Sequence, residues 1–144
     1  MFTFFFDDSI IEVFVKKHIR VAAAVIFVEG KFLLSKRKAE QHQGNKWEFP
    51  GGKIDEQESV EQALVRELKE ELNIEVAEQQ SFINLDFEYP EKVVSLYFQL
   101  VTNFTGQEYG VEGQEVAWFD SEQIQLLTFP DANLPVLEKI KTLA

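Results

Sequence analysis

Cysteine is missing from this 144-residue chain, so no disulfide framework can hold its fold. That absence agrees with a cytoplasmic location. Positive charge is scarce: 14 Lys and Arg stand against 25 Asp and Glu, a formal net charge of −11. A protein that grips the backbone of DNA or RNA needs a basic surface, so a nucleic-acid polymer is excluded as partner. A single anionic nucleotide is not excluded, because bound metal ions can carry the compensating charge. No apolar run reaches the roughly 20 residues of a membrane span, so no membrane partner is expected. The opening MFTFFFDDSIIEVFV is apolar but broken by Asp7, Asp8 and Glu12. It carries neither a basic n-region nor a small-residue cleavage site, so it is not expected to be a signal peptide. Internal repeats and low-complexity linkers are also absent.

What is present describes one globular domain. The hydrophobic fraction is 45% and the charged fraction 27%, and the length suffices to bury a core. Val21 to Val28 and Lys31 to Arg37 read as a hairpin around Glu29-Gly30. Phe82 to Tyr89 and Val93 to Thr102 read as strands flanking Pro90-Glu91, and Glu115 to Phe119 as another. Asn103 to Gly113 reads as loop. Leu134 to Leu143 reads as a closing helix, with Val136, Leu137 and Ile140 inward and Lys139 and Lys141 outward. Strands mixed with two helices predict an α/β or α+β sandwich.

The most informative stretch runs from Gly51 to Ile74, GGKIDEQESVEQALVRELKEELNI. Ser59 and Gln62 form a capping-box pair, so a helix is predicted to begin at about Val60. With Val60 at zero and about 100° per residue, Leu64, Leu68 and Leu72 fall near 40°, 80° and 120°. On the same turn angle Glu67, Glu71 and Glu70 fall near −20°, 20° and −80°. An acidic helix face is ordinarily a solvated one. Here Glu67 and Glu71 share the stripe of Val60 and Leu64, where unpaired carboxylates are costly and repel one another. A hard divalent cation, Mg²⁺ or Mn²⁺, resolves both problems. Arg66 stands four residues before Glu70 and is expected to pair with it.

Gly52, five residues, Glu58, seven residues, then Arg66-Glu67-Leu68-Lys69-Glu70-Glu71-Leu72-Asn73-Ile74 resembles the Nudix box of pyrophosphohydrolases. Asn73 stands where the family has the glycine that closes the helix in a left-handed conformation, which Asn tolerates next best. HQGNKWEFPGG (His42 to Gly52), FEYP (Phe87 to Pro90), YGVEGQE (Tyr109 to Glu115) and FPDAN (Phe129 to Asn133) are similar to segments of the MutT-type branch. The similarity spans about residues 18–143, which leaves 1–17 as an N-terminal extension and 18–144 as the Nudix domain. For the extension an added edge strand, a partner surface and a mis-assigned start are the open readings.

The resemblance implies a Nudix-type α/β/α sandwich with a mixed central sheet and a monomer dependent on Mg²⁺ or Mn²⁺. It implies hydrolysis of a nucleoside triphosphate, with 8-oxo-dGTP as substrate, to monophosphate and pyrophosphate by attack at the β-phosphorus. The biological role implied is sanitation of the nucleotide pool. Gly51 is by sequence either a plain turn glycine or a backbone-carbonyl metal ligand, and the resemblance favours the ligand. Glu67, Glu70 and Glu71 are the side-chain metal ligands, Glu67 is the candidate general base, and Glu58 orients Arg66 or a metal-bound water. Glu112 reads as a solvated loop acid on its own and, by resemblance, as the acid that completes the metal site or assists as base. Arg37 matches the family arginine that holds phosphate, whereas Lys36 and Lys38 read as surface. Glu48, Phe49, Tyr89 and Asn133 are the candidates for base recognition. An Asn amide can read a purine edge with one donor and one acceptor, although Asn133 alone would read as a helix N-cap. Lys92 stands where relatives carry an arginine, which removes a bidentate contact there. The alternatives are a Nudix hydrolase of ADP-ribose, a dinucleotide polyphosphate or a pterin triphosphate, and a non-catalytic binding module. The module should have lost box carboxylates, and this chain has them all.

Overall fold

The computed structural model describes residues 2–6, 9–13, 16–40 and 44–143; His42 of the first family segment lies outside them. Strands β1 (Phe2–Phe6) and β2 (Ser9–Val13) pair antiparallel as a separate two-stranded sheet. They add no edge strand to the main sheet.

That sheet has seven strands. β3 (Lys17–Val28) turns through Glu29 and Gly30 into β4 (Lys31–Lys36). Both turn residues have positive φ (52° and 77°), the backbone that a tight hairpin matching strand twist requires. β5 (Trp47–Glu48) and β9 (Val116–Phe119) pair with β4, and β6 (Gly51–Lys53) pairs with β3. β8 (Lys92–Thr105) lies parallel to β3, from Lys17 opposite Lys92 to Ile26 opposite Val101, and β7 (Glu75–Glu88) forms the edge beyond it.

β7 and β8 run longer than their apolar patterns suggest. Glu75, Val76 and Glu78 pair with Thr105, Phe104 and Asn103, residues that the sequence assigned to loop. Irregularities between Val76 and Glu78 and between Ser81 and Ile83 break the alternation that would reveal a strand.

Helices cover both faces, as a sandwich requires. α1 (Val60–Leu72) buries Ala63, Leu64, Leu68 and Leu72 against Ala22, Ala24, Ile26 and Leu33. The alanines of β3 let the helix approach closely. On the opposite face Ala23, Val25, Phe32, Leu34 and Phe98 pack with Ile124 of α2 (Ser121–Ile124) and with Val136, Leu137 and Ile140 of α3 (Leu134–Ile140). α3 ends at Ile140, and Lys141 to Leu143 continue as hydrogen-bonded turn. Lys139 does not point away as expected. Its Nζ donates to the Phe82 carbonyl and sits 4.8 Å from the Phe82 ring centroid, tying α3 to β7. No helix among the described residues is long and apolar enough to cross a membrane.

Candidate active site

α1 is fixed at both ends by the chemistry read from its sequence. Ser59 Oγ accepts from the Gln62 N–H while the Gln62 side chain accepts from the Ser59 N–H. At the other end Asn73 is left-handed (φ 61°, ψ 34°), its N–H bonded to the Lys69 carbonyl at 3.1 Å. The helix therefore presents its acids at a set angle to β6.

The two glycines of β6 make that approach possible. A Cβ on Gly51 would lie 2.0 Å from the Ala22 carbonyl oxygen, and one on Gly52 would lie 2.4 Å from Glu67 Cδ. Gly51 thus lets β6 close on β3, and Gly52 makes room for a carboxylate.

Arg66 is the hub beneath it. Nε and Nη2 hold Glu58 Oε2 and Oε1 at 2.7 and 2.8 Å, Nη1 holds Glu67 Oε1 at 2.9 Å, and Nη2 also reaches the Lys53 carbonyl at 3.0 Å. Glu58 accepts a further bond from the Asp55 N–H. The Arg66 hydrogen bonds, with the Asp55 N–H behind them, hold the Glu58 carboxyl down at about 2. Glu58 in turn is the largest influence raising the Arg66 pKa. The expected partner, Glu70, is 3.6 Å from Nη1 and mostly exposed. The expected i,i+4 pair is therefore present, and Glu58 is the closer partner because the loop before α1 offers both carboxylate oxygens to the guanidinium fork.

Glu71 is in a different state. Burial first, then the neighbouring charge of Glu67 and of Glu48, pushes its carboxyl up to about 8. Glu112 adds to this, and a hydrogen bond from the Gly51 backbone opposes it. Glu112 comes from the loop after β8, and that loop is strapped to the C-terminus of α1. The Tyr109 N–H donates to the Leu72 carbonyl at 3.1 Å, and the Val111 N–H to the Glu71 carbonyl at 3.0 Å. Gln114 completes the strap by accepting from the Glu112 N–H at 2.9 Å and donating to the Glu71 carbonyl at 3.0 Å. Lys38 Nζ donates to the Glu112 carbonyl at 2.8 Å.

These groups enclose a cavity of about 90 Å³ lined by Ser35, Lys36, Lys38, Glu48, Glu71, Glu112 and Gln114. Lys36 and Lys38, read from sequence as surface, belong to its wall. Gln114 and Ser35 carry no motif signal of their own; Gln114 bonds both Glu112, two residues back, and Glu71, 43 positions away. Among the described residues no three acidic side chains converge on one point as they stand. The donor set still fits a hard divalent cation. It is all oxygen, it includes a carboxyl whose pKa is raised by burial first and by its acidic neighbours second, and a cation would supply the missing countercharge.

The remaining candidates are spread out. Arg37 Nη1 donates to Glu48 Oε2 at 2.7 Å, so Glu48 faces Arg37 and the neighbouring Glu71. Phe49 is core: it stacks on Phe129 at 5.4 Å and meets Phe98 edge-on at 5.8 Å. Asn133 follows in the 3₁₀ turn Asp131–Asn133, and its side chain makes no cap hydrogen bond, so the N-cap role is not realised. Its segment is fastened to β5 by the Trp47 N–H on the Thr128 carbonyl. Tyr89 is exposed, with Lys92 Nζ 5.4 Å from its ring centroid. Lys92 is in register with Lys17 whereas Gly51 is in register with Ala23. At about 3.3 Å per residue, Tyr89 stands roughly 20 Å along the sheet from the acids.

An Arg-clamped acidic helix packed on a Gly-Gly strand in an α/β/α sandwich defines a class, and comparison with known proteins agrees. The NUDIX domain model matches residues 16–140, and the chain belongs to the Nudix family. The hairpin of β1 and β2 lies outside that match. Within the family the chain is 39% identical over 128 residues to the 8-oxo-dGTP diphosphatase of Escherichia coli K12, covering 88% of this chain and 99% of that enzyme. It is 37% identical over 127 residues to the CTP pyrophosphohydrolase of the same organism, covering 88% of this chain and 94% of that one. A solved structure of MutT from Aliivibrio salmonicida or Vibrio cholerae superposes with a TM-score of 0.81 at 41% identity, covering 89% of this chain and 100% of that one.

Proposed function

We propose that this Nudix pyrophosphohydrolase hydrolyses 8-oxo-dGTP, and related oxidised guanine nucleotides, to the monophosphate and pyrophosphate in the cytoplasm, keeping oxidised guanine out of newly made DNA. The observation that carries the reading is the Glu48, Glu71 and Glu112 cavity beside the Arg66-clamped Glu67, in a chain that spans 99% of an 8-oxo-dGTP diphosphatase.

Gly51 through its carbonyl, with Glu67, Glu70, Glu71 and Glu112, would hold Mg²⁺, or Mn²⁺ in its place. Such an ion polarises phosphoryl oxygens and lowers the pKa of bound water. Arg66, itself fixed by Glu58, holds Glu67 where it can take the proton of the attacking water. The new bond forms between the water oxygen and the β-phosphorus, and the α–β bridging oxygen leaves on the monophosphate. Arg37 exchanges Glu48 for a substrate phosphate. Asn133 reads the oxidised purine edge, Tyr89 supplies apolar surface on the base side, and Phe49, buried against Phe98 and Phe129, backs that side from the core. We propose a monomer as the working unit.

A second reading is favoured by the near-equal identity to the CTP pyrophosphohydrolase. One panel decides between them: kcat/KM with Mg²⁺ for 8-oxo-dGTP, dGTP, 8-oxo-GTP, CTP and ADP-ribose, with phosphate products identified. Preference for the oxidised guanines, lost selectively in Asn133→Ala, supports the proposal. Preference for CTP or ADP-ribose discards the base-reading residues and keeps the metal site. Glu67→Gln should abolish turnover of any substrate.

A further inference from the structure

A second cavity opens beside the acidic one. It encloses about 190 Å³ and shares Lys36, Lys38 and Gln114 with its neighbour. Its own character is basic: Lys36, Arg37, Lys38 and Asn45 line it, with Glu115 as the acidic member. Three consecutive cations at one spot are conspicuous in a chain of net charge −11.

The fold holds these cations in place. β4 ends at Lys36, opposite Trp47 of β5, and the Lys36 ammonium lies 5.7 Å from the Trp47 ring centroid. The Lys36 N–H donates to the Glu115 carbonyl and the Arg37 N–H to the Lys46 carbonyl, each at 2.9 Å. Arg37 is turned towards Glu48 and Lys38 towards the Glu112 carbonyl, so the cationic row forms the partition between the two cavities. A triphosphate laid across that partition would set the reacting β-phosphoryl group against the carboxylates and the γ-phosphate among the lysines. The lining is mainly polar, with Ala39 and Gly113 beside the cations and no aromatic ring on which a base would stack.

We infer that the basic cavity receives the γ-phosphate of the substrate, the outer end of the departing pyrophosphate, with Lys36 and Lys38 as contacting cations in addition to Arg37. This rests on the triphosphate reading above and extends it to residues that reading leaves out. Lysine suits the place: its ammonium is a compact charge on a flexible stem and can follow a phosphate that must later leave.

The test is calorimetric titration of the protein with inorganic pyrophosphate and with 8-oxo-dGMP, both in excess Mg²⁺ at low salt, for the unaltered chain, Lys36→Gln and Lys38→Gln. Glutamine removes the charge while keeping a donor for the Glu112 carbonyl. Each variant should weaken pyrophosphate roughly fivefold, and the effect should shrink as salt is added. Binding of 8-oxo-dGMP should stay within about twofold. Unchanged pyrophosphate affinity in both variants, or an equal loss for the monophosphate, overturns the inference. A fall in kcat for Lys38→Gln with unchanged pyrophosphate affinity also overturns it, because Lys38 would then serve Glu112 alone. If the unaltered chain hydrolyses no triphosphate yet binds pyrophosphate in a lysine-dependent way, the proposed function fails and the cavity assignment stands.

Discussion

Arg66 grips Glu58 with two parallel hydrogen bonds, Nε to Oε2 at 2.7 Å and Nη2 to Oε1 at 2.8 Å, and offers its remaining nitrogen to Glu67 at 2.9 Å. One guanidinium therefore links a loop acid, which stays ionised, to the acid proposed as base. Lysine cannot reproduce the fork. Arg66→Lys should lower kcat about a hundredfold, the scale of a misplaced catalytic group, with KM little changed. A variant with near-normal kcat would detach the clamp from catalysis.

The same pair sets a pH dependence. Folding depresses the Glu58 carboxyl from 4.5 to about 2, so its contribution to stability is present above about 4.5 and is lost as pH falls towards 2. Glu58→Gln should melt below the unaltered chain at pH 6, and the gap in Tm should narrow steadily between pH 4.5 and 2.5. A gap independent of pH would assign the loss to packing instead of charge.

Gly51 and Gly52 are adjacent, yet their substitution should fail in different ways. A Cβ on Gly51 meets backbone, the Ala22 carbonyl at 2.0 Å, which cannot give way without opening the pairing of β6 with β3. Gly51→Ala should cost about 2 kcal/mol or more in urea unfolding. A Cβ on Gly52 meets only the Glu67 carboxylate, a movable side-chain end. Gly52→Ala should keep most of its stability and lose turnover at least tenfold, because Glu67 is driven off Arg66. Equal stability losses in the two variants would show that the steric distinction does not matter.

Local chemistry was legible in the sequence, and long-range pairing was not. The capping box of Ser59 and Gln62, the Glu29-Gly30 turn and the left-handed Asn73 were readable because each is decided within a few residues. Glu58 was open between orienting Arg66 and orienting a metal-bound water, and its contact is with Arg66, eight residues on. Glu48 was read as a base contact, but it meets Arg37 because the β4–β5 register sets Ser35 opposite Glu48. No composition signal carries a register. The first half of β7, Glu75 to Ser81, carries no strand signal because its residues are mostly polar and its alternation is broken by irregular pairing. Gln114 lay inside a recognised segment, but its two bonds depend on where the loop meets α1.

Those two bonds make Gln114 a positioning residue for Glu112. Gln114→Ala removes the acceptor for the Glu112 N–H and the donor to the Glu71 carbonyl together. Turnover should fall about tenfold while substrate KM holds, and Gln114→Glu, which keeps the acceptor, should recover part of it. A loss of thermal stability with unaltered kcat would make the strap purely structural.

Glu71 ties stability to metal with the opposite sign from Glu58. Its folded carboxyl is raised from 4.5 to about 8, so the folded state binds the extra proton between those values. Stability in the absence of metal should therefore fall as pH rises from about 4.5 to 8 and level off above that. A divalent cation favours the ionised carboxylate and must displace the proton below pH 8, so it should bind more weakly there. The Tm increase produced by Mg²⁺ over EDTA should be larger at pH 8.5 than at pH 6. Glu71→Gln removes the buried charge, so in EDTA at pH 8.5 it should melt above the unaltered chain while showing no hydrolysis and no Mg²⁺ response. At pH 3.5, below both values, where both side chains are mainly neutral folded and unfolded, the two melting points should nearly coincide. An Mg²⁺ response equal at pH 6 and 8.5, with Glu71→Gln no more stable in EDTA, would mean that Glu71 is neither the buried charge nor a metal ligand.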